Sequence, residues 1–333
     1  MGVDAAEIEK RVNDSYELPN NVLRAVPAPV VTVRTYTYQH GPYIRDCIEG
    51  VLAQKTTFPF EYIIGEDCST DGTREIVLEY ARRYPEVIRV VTADYNVGDK
   101  ANVRRCINRT RGKYVALCEG DDYWISPLKL QRQVELMEAN PEITFCFHNA
   151  FIVNTVTGGT ILYYPTPLKP RLDFDQVCQI STPTASLLAR SDVLATMPAW
   201  RDQVIWQDLL FRLWCAHYGE LAYLDAVMSV YRIRPSGMTA AALRSHQATY
   251  ENGIFLYEQL DKETNYQHTA ALQAQLRRVK NNAAHSRMGK LYYLLNPGKF
   301  LDILQRYYLA VMRLKSVIYF GHQVPPYRPE KNL

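Results

Sequence analysis

Apolar and polar residues follow two alternating patterns over the first third of the chain. Four short apolar runs have the length and the β-branched or aromatic content of buried strands, namely Val30–Val33, Phe58–Ile64, Ile88–Val91 and Lys113–Cys118. Between them, apolar residues recur every three or four positions, which is the spacing of one helix face, in Tyr43–Gln54, Arg74–Tyr84 and Ala101–Thr110. The pattern therefore predicts four strands that alternate with three helices.

Such an alternation is typical of an α/β fold, in which a parallel sheet carries helices on both faces. Right-handed crossovers place every loop that follows a strand at the same edge of the sheet. The loops that contain Tyr38, Asp67 and Asp121 each follow a predicted strand. We therefore expect these three loops to meet, although they are far apart in the sequence.

The second half of the chain is less regular and ends in helical patterns. The predicted elements are a helix at Leu128–Met137, a strand at Ile143–His148, a hairpin-like turn at Val156–Thr160, a helix at Gln207–His217, strands at Leu221–Leu224 and Val227–Arg232, and helices at Tyr250–Leu260, Ala270–Met288 and Phe300–Tyr319. We divide the chain into an N-terminal arm (1–28), an α/β domain (29–240) and a helical C-terminal extension (241–333).

Composition narrows the class of protein. Hydrophobic residues make up 47% and charged residues 22% of the 333 positions, which is ordinary for a globular protein. The net charge of +3 is too small to favour a nucleic-acid partner. Seven cysteines without a CxxC pair favour free thiols in a reducing cytoplasm over disulfides or zinc. Because no run of 18 apolar residues occurs, no transmembrane helix is expected.

Three carboxylates follow the fourth predicted strand within four residues: Glu119, Asp121 and Asp122. Like charges at this spacing repel one another, and a carboxylate that leaves water is costly unless a cation meets it. A divalent cation with oxygen ligands, shared with substrate phosphates, would remove that cost. The alternative is a solvated acidic turn, because Gly and Asp are ordinary turn residues. The predicted meeting of the three loops favours the metal interpretation.

Four ordered segments resemble the family-2 inverting glycosyltransferases, which have the GT-A fold. The segments are Val31–Tyr38, the Asp-Cys-Ser-Thr-Asp-Gly-Thr loop at Asp67–Thr73, Asn96–Gly98 with Asn102, and the Glu-Gly-Asp-Asp sequence at Glu119–Asp122. The resemblance is close over residues 30–135 and extends to about residue 240. It implies a Rossmann-like, mostly parallel sheet flanked by helices, with a nucleotide-sugar-binding half (29–135) and an acceptor half (136–240).

The resemblance also implies a nucleoside-diphosphate-sugar donor, with UDP or dTDP favoured, and a bound Mg²⁺ or Mn²⁺. Asp121 would bind the metal, Glu119 would face the ribose or the metal's water shell, and Asp67 would accept a hydrogen bond from the base. The other residues implied in donor binding are Thr37, Tyr38, Lys100, Gly120 and Arg234. Arg234 stands where the family often has a histidine, and an arginine can hold a diphosphate but cannot bind a metal. Ser69 and Asp71 are better explained by capping of the next helix.

On the acceptor side, the resemblance places the general base at Asp208. The alternative for Asp208 is a structural charge in the first turn of a helix. Trp124, Trp206 and Gln207 would line the sugar or the acceptor, although packing in the core is the more common role of a tryptophan. The acceptor is expected to be a hydroxyl group, but no motif identifies it.

The C-terminal segment Ile303–Phe320 is amphipathic and basic. It could contact a membrane surface peripherally, form a homodimer or pack on the catalytic domain. Two other functions remain open. One is a nucleotidyltransferase of similar fold, which would require a glycine-rich basic loop after the first strand, and the other is a non-catalytic scaffold that binds sugars or nucleotides.

Overall fold

The computed structural model describes residues 4–20, 22, 28–235, 237 and 246–281. These residues divide into two compact units. The first unit contains the described residues up to Val153 together with Leu162–Arg232. The second unit contains Asn154–Ile161 and the described residues that follow Arg232.

In the first half of the chain, helices alternate with strands as predicted. The elements are α1 (Ala5–Asn13), β1 (Tyr16–Glu17), β2 (Val31–Thr37), α2 (Ile44–Leu52), β3 (Phe60–Glu66), α3 (Thr73–Arg83), β4 (Ile88–Thr92), α4 (Asp99–Ile107) and β5 (Tyr114–Leu117). Strand β2 pairs in parallel with both β3 and β5, and β3 pairs in parallel with β4. Their carboxyl ends therefore lie at the same edge of the sheet.

The second half adds strands and helices to the same sheet. These elements are β6 (Tyr123–Trp124), α5 (Lys129–Ala139), β7 (Ile143–Asn154), β8 (Thr160–Leu162), β9 (Arg171–Leu172), α6 (Phe174–Val177), β10 (Leu188–Arg190), α7 (Ser191–Ala195), α8 (Gln207–Tyr218) and β11 (Glu220–Ile233). The strand order is β1-β4-β3-β2-β5-β10-β7-β11-β6. Strand β10 is antiparallel to β5 and to β7, and β6 is antiparallel to β11. The predicted α/β class with flanking helices is confirmed, and the parallel run β4-β3-β2-β5 forms the first half of the sheet.

Close packing of α4 against β3 depends on a glycine. A Cβ added to Gly65 would lie 2.4 Å from Oδ1 of Asn102 and 2.6 Å from Sγ of Cys106. Asn102 also donates a hydrogen bond from Nδ2 to the carbonyl oxygen of Gly65 (2.9 Å). The first turns of α4 are therefore held directly on the strand whose carboxyl end leads into Asp67.

Two details differ from the sequence-based expectation. The predicted strands Leu221–Leu224 and Val227–Arg232 are one continuous strand, β11, because the intervening Asp225 is exposed to solvent and does not interrupt the backbone pairing. The short strand β6 was not predicted, since only its pairing with Ser229 and Val230 of β11 makes it a strand. A segment of two residues has no periodicity for a pattern to reveal.

The N-terminal segment contributes to the first unit through both of its elements. Ile8 and Val12 of α1 are buried against Ala93, Val97 and Ala101. Strand β1 pairs with β4 at the end of the sheet. The loop that contains Val97 is thereby covered by α1.

In the second unit, helix α9 spans His246–Glu263, and residues 269–281 are also helical. These are the positions of the predicted helices Tyr250–Leu260 and, in part, Ala270–Met288. A Cβ added to Gly253 would lie 3.6 Å from Cγ1 of Val279, so the two helical stretches pack against each other. The predicted helix Phe300–Tyr319 lies outside the described residues. None of the helices in the described part of the chain is long and apolar enough to cross a bilayer.

Candidate active site

Three loops meet where β2, β3 and β5 end. The backbone N–H of Asp67 donates to the carbonyl oxygen of Thr37 (3.1 Å), and that of Gly120 donates to the carbonyl oxygen of Tyr36 (3.1 Å). The Gln39 side chain joins the first two loops, since it accepts from the backbone N–H of Thr70 (3.0 Å) and donates to that residue's hydroxyl (3.1 Å). The predicted convergence of the three loops is therefore observed.

Gly120 allows the acidic loop to approach β2 closely. A Cβ at this position would lie 2.5 Å from Nδ1 of His40 and 2.7 Å from Oγ1 of Thr37. Thr37 and His40 are themselves in contact, with Oγ1 and Nδ1 3.2 Å apart. Any side chain larger than hydrogen would push Glu119 and Asp121 away from the end of β2.

A buried carboxylate, Glu66, and an exposed one, Asp71, shape the loop after β3. Glu66 accepts from the backbone N–H groups of Cys68 (3.2 Å) and Ser69 (2.7 Å), which stabilises Cys68 in the left-handed region at φ 57°. Asp71 accepts from the backbone N–H groups of Thr73 (3.2 Å) and Gly41 (2.8 Å). The expected capping of α3 by Ser69 or Asp71 is wrong, because Gly72 occupies the N-cap and no side chain caps the helix, and Asp71 instead links this loop to Gly41.

Asp67 is 2% exposed and binds the loop that precedes α4. Its carboxylate accepts from the backbone N–H groups of Val97 (2.8 Å) and Gly98 (3.0 Å) and lies 3.6 Å from Nη2 of Arg105. Burial raises the pKa of Asp67, and these donors and the arginine oppose that rise. A carboxylate has about four acceptor positions. The two backbone N–H groups and Arg105 use three of them, so one remains for a further donor such as an N–H of the nucleotide's base.

The three acids after β5 lie in strongly different surroundings. Burial and the charge of Asp121 raise the pKa of Glu119 well above its usual value, and Cys47 and Asp208 add to this effect. Asp122 is 1% exposed, and its Oδ1 accepts from the backbone N–H of Arg232 (2.8 Å) while its buried Oδ2 has no partner. Burial, followed by the charge of Asp121, also raises the pKa of Asp122 well above its usual value. The negatively charged forms of Glu119 and Asp122 are therefore disfavoured in these surroundings.

Asp208 faces this cluster from the second half of the chain. It lies in the first turn of α8, and its charge contributes to the raised pKa values of both Glu119 and Tyr163. The helix begins after Trp206 and has no side-chain cap. Asp208 therefore does not cap α8, but its place in the first turn is the one expected for the alternative of a structural charge, and its role as the base stays a prediction.

Other predicted residues lie elsewhere. Lys100 donates from Nζ to the carbonyl oxygen of Val204, and burial lowers its pKa. Trp124 is 1% exposed, donates from Nε1 to the carbonyl oxygen of Ala185 (2.8 Å) and packs in the core. The expectation that Trp124 stacks on a sugar is therefore wrong, because its ring is covered on all sides.

Four more predicted residues, Trp206, Gln207, Tyr38 and Arg234, lie in different parts of the chain. Trp206 and Gln207 are half-buried at the start of α8, and Nε2 of Gln207 is buried without a partner. Tyr38 is 46% exposed at the end of β2, in contrast to the buried Thr37. Arg234 belongs to the second unit, and its part in donor binding stays a prediction.

Sequence patterns missed Arg232, which contacts the acidic loop, and Asp46, which pairs with Arg232. Arg232 contacts the backbone of Asp121 and the side chain of Asp46 on α2. The resemblance singles out Arg234, which replaces the family's histidine, and gives no signal for Arg232 two residues before it. Asp46 carries no signal in the sequence, since an acid in the first turn of a helix is common.

The donor set suits a hard divalent cation held jointly with a ligand. Glu119, Asp121 and Asp122 offer only oxygen atoms, and the partnerless Oδ2 of Asp122 and the raised pKa of Glu119 show that a cation would relieve their repulsion. Within the described ranges, no three Asp, Glu, His or Cys side chains converge closely enough to hold a metal by themselves. One or two carboxylates with phosphate oxygens and water is the arrangement that Mg²⁺ usually adopts.

A parallel α/β sheet with an acidic loop at its carboxyl edge defines the GT-A class of nucleotide-sugar-binding folds. Residues 32–193 match the family described as Glycosyl transferase family 2. Over this stretch, which is just under half of the chain, the predicted resemblance to family-2 glycosyltransferases is confirmed.

Similar proteins agree with this assignment. An uncharacterised protein of Mycobacterium tuberculosis is 35% identical over 230 residues, a stretch that covers 66% of this chain and 64% of that protein. The chain thus spans just under two thirds of this relative's length. TuaG of Bacillus subtilis, a glycosyltransferase named for teichuronic acid biosynthesis, is 39% identical over 109 residues, which cover 33% of this chain and 42% of TuaG.

Two solved structures share the fold. The crystal structure of S. aureus TarS with UDP has a TM-score of 0.52 at 18% identity and covers 69% of this chain and 65% of that one. The mannosyltransferase PcManGT from Pyrobaculum calidifontis, solved with GDP-Man and Mn²⁺, has a TM-score of 0.52 at 14% identity and covers 93% of both chains. At these identities the likeness shows the fold, and the predicted GT-A architecture is confirmed.

Proposed function

We propose that the protein is a metal-dependent, inverting glycosyltransferase that moves a sugar from a nucleoside diphosphate sugar to an acceptor hydroxyl. The observation that best supports this proposal is that Asp208, in the first turn of α8, lies near enough to Glu119 for its charge to act on that residue. These acids come from the two halves of the chain, and the charge of Asp208 reaches Glu119. The match to the glycosyltransferase family supports the reaction type, and the similar folds solved with UDP or GDP-Man support the kind of donor.

On this proposal, the loops after β2 and β3 hold the nucleoside. Thr37 and Tyr38 lie at the end of β2, and Asp67 retains one acceptor position toward a base N–H. An N–H next to two carbonyl groups, as in uracil or thymine, suits this acceptor, so UDP and dTDP are the favoured donors. Gly120 lets the acidic loop lie close to Thr37 and His40, where the Cβ of any other residue would collide with both side chains.

Asp121 would hold Mg²⁺ or Mn²⁺, with Glu119 facing the metal's water shell or the ribose. When bound, the metal neutralises the negative charge that develops on the departing diphosphate. Asp121 orients the diphosphate, while the half-buried Glu119 restricts how the ribose sits. The PcManGT structure, solved with Mn²⁺, is the precedent among similar folds.

Asp208 would accept the proton of the attacking acceptor hydroxyl. Its carboxylate is half-buried, and no described donor competes for it. A general base must come within hydrogen-bond reach of the proton that it removes, about 3 Å. Attack on the anomeric carbon from the side opposite the diphosphate would invert the configuration there, which requires the base and the metal-binding acid to lie on opposite sides of the sugar.

Two alternatives make different predictions. A nucleotidyltransferase would release pyrophosphate and would need a glycine-rich basic loop after β2, whereas this chain has Thr37-Tyr-Gln-His40 there. A non-catalytic scaffold would bind nucleotide but would not consume the donor. No observation favours either one.

The experiment compares Asp121→Ala and Asp208→Asn in calorimetric titrations with UDP and Mn²⁺, followed by transfer or donor-hydrolysis assays. We expect Asp121→Ala to lose Mn²⁺-dependent UDP binding. Asp208→Asn should keep that binding and lose turnover. Full turnover by Asp208→Asn would place the base elsewhere, and a UDP affinity that Mn²⁺ does not increase in the unmodified protein would refute the metal role.

A further inference from the structure

Arg232, next to the last residue of β11, makes three hydrogen bonds at the edge of the acidic loop. Its backbone N–H donates to Oδ1 of Asp122 (2.8 Å), and its Nη1 donates to the carbonyl oxygen of Asp121 (3.0 Å). Its Nη2 pairs with Oδ2 of Asp46 on α2. One residue thus joins both aspartates of the loop to a neighbouring helix.

Two aromatic rings restrict the position of the Arg232 guanidinium. Its Cζ lies 4.3 Å from the ring centroid of Tyr123 and 5.3 Å from that of Tyr43. The side chain is 11% exposed. A guanidinium stacked on aromatic rings and bonded at two of its nitrogens has little freedom to adopt another rotamer.

The contact with the Asp121 carbonyl oxygen bears directly on the proposed metal site. A hydrogen bond to this oxygen restricts rotation of the peptide between Asp121 and Asp122, and the bond to Oδ1 of Asp122 fixes the next side chain. The direction of the Asp121 carboxylate depends on its own backbone. Groups that orient a metal ligand typically matter about as much as the ligand itself, and their loss costs about 10–100-fold in metal affinity.

We propose that Arg232 is a positioning residue that holds Asp121 in the orientation in which it binds the divalent cation. This inference rests on the proposed metal-dependent function. Arg232 itself is poorly placed to bind the diphosphate, because both of its terminal nitrogens are engaged and Asp46 balances its charge. Lysine cannot replace it, since a single ammonium group does not span two acceptors in a fixed plane.

The test measures Mn²⁺ affinity by electron paramagnetic resonance in the presence of saturating UDP, for Arg232→Met and Arg232→Lys. We expect about 10–100-fold weaker Mn²⁺ binding in Arg232→Met and a partial loss in Arg232→Lys. Binding of UDP without metal should not change in either variant. If Arg232→Met weakens metal-free UDP binding, Arg232 contacts the nucleotide itself and the positioning role is wrong.

A matched control is Arg190→Met. Arg190 also donates to backbone carbonyl oxygens, those of Ile143 (2.8 Å) and Met137 (2.9 Å), and lies over the Tyr114 ring, but it does so at the opposite end of β5. This variant should lose stability and keep its Mn²⁺ affinity. Equal Mn²⁺ affinity in Arg232→Met and in the unmodified protein would overturn the inference.

Asp46→Ala provides a second variant in case Arg232→Met does not fold. The Asp46 side chain is 41% exposed, so its removal should be tolerated, and it should weaken Mn²⁺ binding in the same direction. Unchanged Mn²⁺ affinity in Asp46→Ala would also count against the inference. If the unmodified protein bound no Mn²⁺ with any nucleoside diphosphate, the proposed function itself would be refuted.

Discussion

The substitution Gly120→Ala tests how closely the acidic loop must approach β2. The new Cβ would lie 2.5 Å from Nδ1 of His40, 2.7 Å from Oγ1 of Thr37 and 2.8 Å from Cβ of Thr37. Carbon atoms in favourable contact are roughly 3.5–4.0 Å apart, so the deficit is about 1 Å. Thr37 belongs to the central strand β2 and is 1% exposed, so it cannot retreat.

The loop must therefore move instead of the strand. Overpacking of this kind typically costs about 1–3 kcal/mol of stability. A shift of about 1 Å in Asp121 would weaken Mn²⁺-dependent UDP binding and could cost about 10²-fold in turnover. Thermal unfolding and calorimetric titration with UDP and Mn²⁺ measure the two effects separately.

Gly253→Ala is the matched control. Its nearest neighbour would be Cγ1 of Val279 at 3.6 Å, which is ordinary contact, and Gly253 lies inside α9. Alanine is favoured over glycine in a helix by roughly 0.5–1 kcal/mol, so this variant should become slightly more stable and keep its affinity for UDP. If Gly120→Ala matched the unmodified protein in both stability and nucleotide affinity, close approach of the loop would not matter, and the reasoning would be refuted.

Three further predictions concern single carboxylates. Asp208→Asn should reduce turnover by about 10²–10⁴-fold with little change in UDP affinity, as measured by steady-state kinetics and titration, because it removes the proposed base. The folded-state pKa of Glu119 is raised, so the folded protein holds a proton that the unfolded chain releases, and stability falls as the pH rises above about 4.5. In the absence of metal, the melting temperature of Glu119→Gln minus that of the unmodified protein should therefore increase as the pH is raised from 5 to 8. A difference that does not change with pH would contradict this prediction. Glu61→Gln should lower the free energy of unfolding by denaturant by about 1.5–3 kcal/mol, because Glu61 is 2% exposed and forms an ion pair with Arg89 at 2.8 Å. Arg89 keeps its other ion pair, with Glu17. The affinity for UDP should not change, and a change would contradict this local role.

Much of the first half could be predicted from periodicity, since each strand and helix there has a distinct apolar face. The convergence of the Thr37, Asp67 and Gly120 loops also followed, because parallel topology alone brings these ends together. The sequence indicated a role for Asp67 but did not reveal its hydrogen-bond partners, which are the backbone N–H groups of Val97 and Gly98. Backbone donors are absent from any sequence pattern, so only the fold reveals them.

The errors have a similar origin. Trp124 was assigned to the sugar because it directly follows the acids, yet the strand β6 turns its ring into the core. Arg232 was overlooked because its role depends on contacts with residues about 110 and 186 positions away. Local spacing cannot report such long-range contacts, and both residues lie where the second half of the chain packs against the acidic loop.

The central claim is that the acidic loop holds a metal and thereby a nucleotide-sugar donor for cleavage. It is tested most directly by measuring nucleoside diphosphate release from UDP-, dTDP- and GDP-sugars, with and without Mn²⁺, for the unmodified protein and for Asp121→Ala. The account predicts release from at least one donor that requires Mn²⁺ and is lost in Asp121→Ala. Absence of release from every donor, or release that is equal in Asp121→Ala, would contradict it.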